Sequence, residues 1–74
     1  MDYETFCKNF GKNLKYYRRI KDLTQEQLAE QLDIADYHYI SKIENGKSNI
    51  TFKTLFKLSQ ALEIDINNLF NRCR

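Results

Sequence analysis

No proline interrupts this 74-residue chain, and only two glycines, Gly11 and Gly46, punctuate it. Tight turns between strands consume both residue types, because proline presets φ and glycine reaches positive φ without strain. A small β-barrel or sandwich is therefore nearly excluded, and helices on short connections remain. The length allows one domain, residues 1–74, around one small core, with stability of roughly 3–5 kcal/mol. Hydrophobic residues at 42% and charged residues at 30% match a folded chain rather than a disordered one. No apolar run exceeds three residues, so neither a transmembrane helix nor a signal-peptide core is legible, and a cytoplasmic location is expected. Cys7 and Cys73 are too few for a disulfide framework and lack CxxC spacing. Free thiols are the expectation, although the two chain ends could approach one another.

Apolar periodicity places the helices. Phe6, Phe10, Leu14 and Tyr17 recur at i, i+4, i+8 and i+11, one stripe of a helix over about residues 4–21. Thr24-x-x-Gln27 reads as a capping box opening a second, short helix with Leu28, Ala29 and Leu32 inward. After a turn around residues 33–35, Asp36 is the expected N-cap of a third helix whose Ile40 and Ile43 face the core. Asn45-Gly46 ends that helix, since both residues tolerate the left-handed conformation. Thr51 caps a fourth helix carrying Phe52, Leu55, Leu58, Ser59 and Leu62, and Asp65 caps a short fifth one with Ile66, Leu69 and Phe70. The predicted architecture is all-α, a five-helix bundle.

The second and third helices carry the functional signal. Two short helices around a tight turn suggest a helix-turn-helix over about residues 24–45. With Ile40 and Ile43 spent on the core, the third helix points Asp36, Tyr37, His38, Ser41 and Lys42 outward. Such a face offers donors, acceptors and a flat ring at the end that enters the DNA major groove in this motif. Tyr39 is either a phosphate contact, the preferred reading, or packing beside Ile40.

Two stretches make the chain recognisable: Thr24-Gln25-Glu26-Gln27-Leu28-Ala29, and Tyr39-Ile40-Ser41-Lys42-Ile43-Glu44-Asn45-Gly46-Lys47. Together they resemble the Cro/repressor-type helix-turn-helix (XRE) family. The resemblance covers about residues 6–70 and implies a lambda-repressor-like fold. Within the family it is most similar to small restriction–modification controller proteins and compact phage-type repressors. It implies that Tyr37, His38, Ser41 and Lys42 face the groove, and that Gln25 anchors a DNA phosphate. It further implies that Asn45, Lys47 and Ser48 grip phosphate just beyond the third helix. Arg18 and Glu44 match a pair that, in relatives, forms a partly buried salt bridge. The chain departs from the pattern in a turn one residue longer between Leu32 and Ile40, and in Asp33 where many relatives have glycine.

Formal net charge is only +2, but its distribution is segregated. From Cys7 to Lys21 there are six bases (Lys8, Lys12, Lys15, Arg18, Arg19, Lys21) and no acid, and from Asp22 to Asp36 five acids and no base. A local patch, not the sum, sets the potential a polyanion meets. No Ser/His/Asp arrangement, glycine-rich phosphate loop or paired carboxylate set is legible, and His38 has no metal-ligand partners at usable spacing. Neither an enzyme nor a cofactor is expected. The expected function is sequence-specific DNA binding by a transcriptional regulator, a homodimer on a palindromic operator. Phe56, Ile64, Ile66 and Phe70 are the expected dimer surface, with Leu69 closing the monomer core. The alternative is a protein-interaction module of the same fold, as in an antitoxin or anti-repressor. Lys42 and Lys47, kept on and beside the third helix, favour nucleic acid.

Overall fold

A computed structural model describes residues 1–47 and 49–71. Five helices follow one another: α1 Tyr3–Ile20, α2 Gln25–Gln31, α3 His38–Glu44, α4 Phe52–Leu62 and α5 Ile66–Phe70. Among the described residues there is no strand. Four helices begin with a side-chain oxygen accepting from an otherwise unpaired backbone N–H, three of them at the caps expected from sequence and α1 at Asp2, which was not expected. Asp2 serves Thr5 at 2.8 Å, Thr51 serves Thr54 at 3.2 Å and Asp65 serves Asn67 at 2.9 Å. Thr24 and Gln27 complete a reciprocal capping box. At α3 the expectation shifts by one residue. Tyr37, itself in a helical conformation, occupies the N-cap position without a side-chain cap. The Asp36 carboxylate instead accepts from the His38 N–H at 3.0 Å.

The helix ends share one device, legible from sequence only at Asn45-Gly46. After α1, α2, α3 and α4 a residue with positive φ follows: Asp22 (61°), Asp33 (59°), Gly46 (73°) and Glu63 (55°). In each case that residue and the next bond back to the preceding turn, as in Leu23 N–H to the Arg18 carbonyl and Lys47 N–H to the Lys42 carbonyl. This is the Schellman closure, which normally recruits glycine. Three apolar residues that follow the left-handed position, Leu23, Ile34 and Ile64, then pack against the core. Only Gly46 meets the conformational demand without strain. Glu63→Gly is expected to stabilise the fold by about 0.5–1 kcal/mol, the relief of left-handed strain less the entropy glycine loses. Urea denaturation checks this, and an unchanged or lowered midpoint contradicts it.

Fully buried side chains of Leu14, Leu28, Leu32, Ile40, Ile43, Leu58, Leu62 and Leu69 form one core drawn from all five helices. Phe10 and Ala29 complete it, and Leu69 closes it as expected. Phe52, carried on the same helix as the inward Leu58 and Leu62, lies outside the core at 90% exposed. Leu55 is half-buried against the core.

Gly11 explains how α1 approaches α3 so closely. A β-carbon there would lie 2.5 Å from the Ile43 carbonyl oxygen and collide with that of Glu44. Asn13, also buried, donates to the carbonyls of Leu69 (3.0 Å) and Asn71 (2.6 Å), tying α1 to the end of α5.

Candidate nucleic-acid interface

Burial of Ile40 and Ile43, three residues apart, fixes the roll of α3 about its axis. Two i,i+4 pairs then occupy the opposite faces: Tyr37 with Ser41, and His38 with Lys42. Tyr37, His38 and Lys42 are exposed and Ser41 is half-buried. Tyr37 stacks on the His38 imidazole, with ring centroids 4.5 Å apart and planes 25° apart. Asp36 stands beside them. One of its carboxylate oxygens accepts from both the His38 backbone N–H (3.0 Å) and the His38 Nδ1 (2.8 Å). The backbone hydrogen bond first, then the side-chain one, holds the Asp36 carboxyl below its usual range, with the Lys42 charge adding to the effect.

The angle of this helix is set by a buried ion pair. Arg18 of α1 meets Glu44 of α3 in a two-point contact, Nε to Oε2 at 2.6 Å and Nη2 to Oε1 at 3.2 Å. The third guanidinium nitrogen donates to the Leu23 carbonyl at 2.6 Å. Gln25, at the start of α2, donates its amide to the same Glu44 Oε1 at 3.1 Å. The cluster therefore clamps α1, α2 and α3 at one point. Gln25 spends one of its two amide hydrogens inside the clamp and keeps a second. Its link to Glu44 was not legible in the sequence, because α2 and α3 meet there only by tertiary packing.

The loop after α3 is held from two sides. Tyr39 donates its hydroxyl to the Asn49 carbonyl at 3.2 Å, and Tyr3 of α1 bonds the Asn49 side chain. Tyr39, preferred from sequence as a phosphate contact, thus anchors the loop that holds the phosphate-binding candidates. Asn45 and Lys47 are exposed on that loop, and Ser48 lies outside the described residues.

The basic segment is thinner than its six charges suggest. Arg18 is consumed in the clamp, Lys8 pairs with Glu4 at 3.0 Å, and Lys21 pairs with Glu63 at 3.2 Å. Lys12, Lys15 and Arg19 stand exposed on α1.

The proposed dimer residues divide. Phe56 is 54% exposed, whereas Ile64 packs against the core and Ile66 is half-buried. Phe70, 43% exposed, sets its ring against Phe6 and Phe10 at centroid distances of 5.8 and 5.2 Å. Sequence reading missed Phe52, one turn before Phe56. Its helical spacing from Leu55 and Leu58 looked like core, and only the roll of α4 turns it outward. Phe52 and Phe70 border an apolar groove of ≈ 510 Å³ that Tyr3, Phe6, Phe10 and Leu55 also line. Cys7 opens onto it and is a free thiol, and Cys73 lies outside the described residues. Among the described residues no group of acids, cysteines and histidine is placed to hold a metal ion, and no helix is long and apolar enough to cross a membrane.

This geometry has close counterparts. The helix-turn-helix domain family matches residues 11–72. Control protein C.MunI from Mycoplasma sp is 46% identical over 63 residues, 84% of each chain. Control protein C.SmaI from Serratia marcescens is 40% identical over 64 residues, 84% of this chain and 73% of that protein. The crystal structure of the restriction–modification controller protein C.AhdI from Aeromonas hydrophila superposes with a TM-score of 0.81 at 34% identity. It covers 86% of this chain and 96% of that one. With its paired short helices, their clamp and this breadth of match, the chain belongs to the helix-turn-helix domain family.

Proposed function

We propose that this helix-turn-helix regulator binds a palindromic DNA operator as a homodimer and controls transcription in the manner of a restriction–modification controller. The observation that carries the reading is the exposed row on α3. Tyr37, His38 and Lys42 project on the face opposite the buried Ile40 and Ile43, while the clamp through Glu44 holds the helix to its neighbours. Asp36, Tyr37, His38, Ser41 and Lys42 read base edges. Gln25, Asn45, Lys47 and Ser48 hold phosphate, with Tyr39 supporting the loop. Similarity to C.MunI, C.SmaI and C.AhdI supports the controller assignment.

A single helix of this length reads too few base pairs for tight specific binding, so two-fold pairing on half-sites about 34–36 Å apart is expected. The exposed face of Phe52, Phe56 and Phe70, with Ile66 and with Ile64 at its margin, is the pairing surface. Selection of duplexes from a random pool, followed by mobility shift, tests the reading. The expected result is an inverted repeat whose affinity falls steeply with salt, each phosphate contact adding about −0.9 to the log–log slope. Failure to enrich any duplex, with stable capture of a protein partner instead, favours the interaction module. The double variant Phe52→Glu/Phe56→Glu is expected to sediment as a monomer and to lose operator affinity. A dimer of unchanged stability in that variant places the interface elsewhere.

A further inference from the structure

We infer that Asp36 is a specificity-determining positioning residue. It holds the neighbouring histidine in the Nδ1–H tautomer, so that Nε2 of His38 presents a hydrogen-bond acceptor to the groove and selects adenine or cytosine at one position of each half-site. The inference rests on α3 being the reading helix.

The chemistry follows from what each atom can do. An ionised carboxylate accepts hydrogen bonds and donates none. The 2.8 Å contact between Asp36 Oδ1 and His38 Nδ1 therefore places the proton on Nδ1. In a neutral imidazole the second nitrogen is then a bare acceptor. Among the described residues nothing bonds His38 Nε2, and the side chain is 66% exposed.

Two further contacts hold this arrangement. The same carboxylate oxygen accepts the His38 backbone N–H, so Asp36 is fixed whether or not the ring bonds it. The stacked Tyr37 ring restricts rotation of the imidazole, which would exchange Nδ1 for a carbon at the carboxylate. The Lys42 charge also favours the ionised, accepting form of Asp36.

An acceptor in the major groove pairs with an exocyclic amino group, adenine N6 or cytosine N4. A donor pairs with the keto oxygens, guanine O6 or thymine O4, or with N7 of either purine, so the exocyclic position separates the two forms of the ring. The tautomer thus becomes a choice of base. Asp36→Ala releases the ring to the Nε2–H form that an unassisted imidazole side chain favours, and at the exocyclic position the preference moves from the amino bases to the keto bases, guanine or thymine.

Two measurements test this. The first is the ¹⁵N spectrum of the histidine ring in the free protein at about pH 8.5, above the ordinary imidazole range. Wild type is expected to show protonated Nδ1 and bare Nε2, and Asp36→Ala the reverse. The second is base preference by duplex selection for wild type, Asp36→Ala, His38→Gln and the double variant. Asp36→Ala is expected to change the ratio of amino to keto bases at one position of each half-site by about 3- to 10-fold, the worth of one hydrogen bond. That change should vanish in the His38→Gln background.

Loss of the Asp36 hydrogen bond to the His38 backbone alone lowers affinity for every duplex alike, in both backgrounds, and that result overturns the specificity role. A protonated Nε2 in the free wild-type protein overturns the tautomer lock whatever the protein binds. A wild-type protein with no duplex preference overturns the proposed function and this role for Asp36 with it, while leaving the spectrum as a separate reading of the lock.

Discussion

Arg18→Ala is expected to leave the chain largely unfolded at physiological temperature, as is Glu44→Ala. Each removes one partner of a pair whose side chains are 10% and 2% exposed, stranding the other charge in the interior. Breaking a buried pair in this way costs about 3–5 kcal/mol, which equals the whole stability expected of a core this small, roughly 3–5 kcal/mol. The loss does not stop at the pair. Arg18 also satisfies the Leu23 carbonyl, and Glu44 also holds Gln25, so the contacts among α1, α2 and α3 fail together. Circular dichroism across a thermal ramp measures the outcome. A variant retaining a cooperative transition near that of wild type shows that the pair is replaceable by water. The double variant Arg18→Met/Glu44→Leu separates charge from packing, since a well-packed apolar pair often matches a buried salt bridge in stability. It is expected to fold while losing the amide anchor for Gln25.

The second large effect concerns discrimination rather than stability. Replacing Tyr37, His38 and Lys42 together with alanine is expected to abolish preference for the operator over random duplex. Each base-edge contact contributes about 1–3 kcal/mol of discrimination, so three together amount to about a hundredfold or more. The fold should survive, because all three side chains are exposed and the buried Ile40 and Ile43 remain. Lys47→Ala provides the contrast. Lys47 stands on the loop rather than on the reading face, so its loss should weaken binding equally on all sequences and reduce the salt slope by about 1. Fluorescence anisotropy against operator and scrambled duplexes at several salt concentrations distinguishes the two outcomes. Operator preference surviving in the triple variant removes α3 as the reading helix.

The helices were legible because their determinants are local. Capping by Thr24, Thr51 and Asp65 depends on hydrogen bonds within one turn, and the inward rows on α1, α2 and α3 follow from helical spacing alone. The near absence of glycine and proline correctly excluded β-architecture, yet it hid how three of the helices end. Four left-handed residues close α1 to α4, and Asp22, Asp33 and Glu63 fill three of those places despite their β-carbons. Asp33 is informative, since relatives were expected to have glycine there. The fold imposes a positive φ on Asp33 all the same.

The candidate site was legible in part for the same reason. Once Ile40 and Ile43 are assigned inward, the opposite faces of α3 must carry Tyr37, His38, Ser41 and Lys42. What lay beyond reach depends on residues distant in the chain. Gln25 reaches Glu44 and Tyr3 reaches Asn49, and spacing along the sequence predicts neither contact. Half of the six bases between Cys7 and Lys21 are drawn into ion pairs with Glu4, Glu44 and Glu63. By itself the sequence determined where helices start, which side of each is apolar and which helix offers a polar reading face, because those properties are set within a few residues. Tertiary structure alone drew Arg18 and Lys21 into ion pairs with the distant Glu44 and Glu63, and it turned Phe52 out of the core. It also clamped α3 at Glu44. These are consequences of packing five helices around one core, where a side chain's role depends on what the other helices place against it.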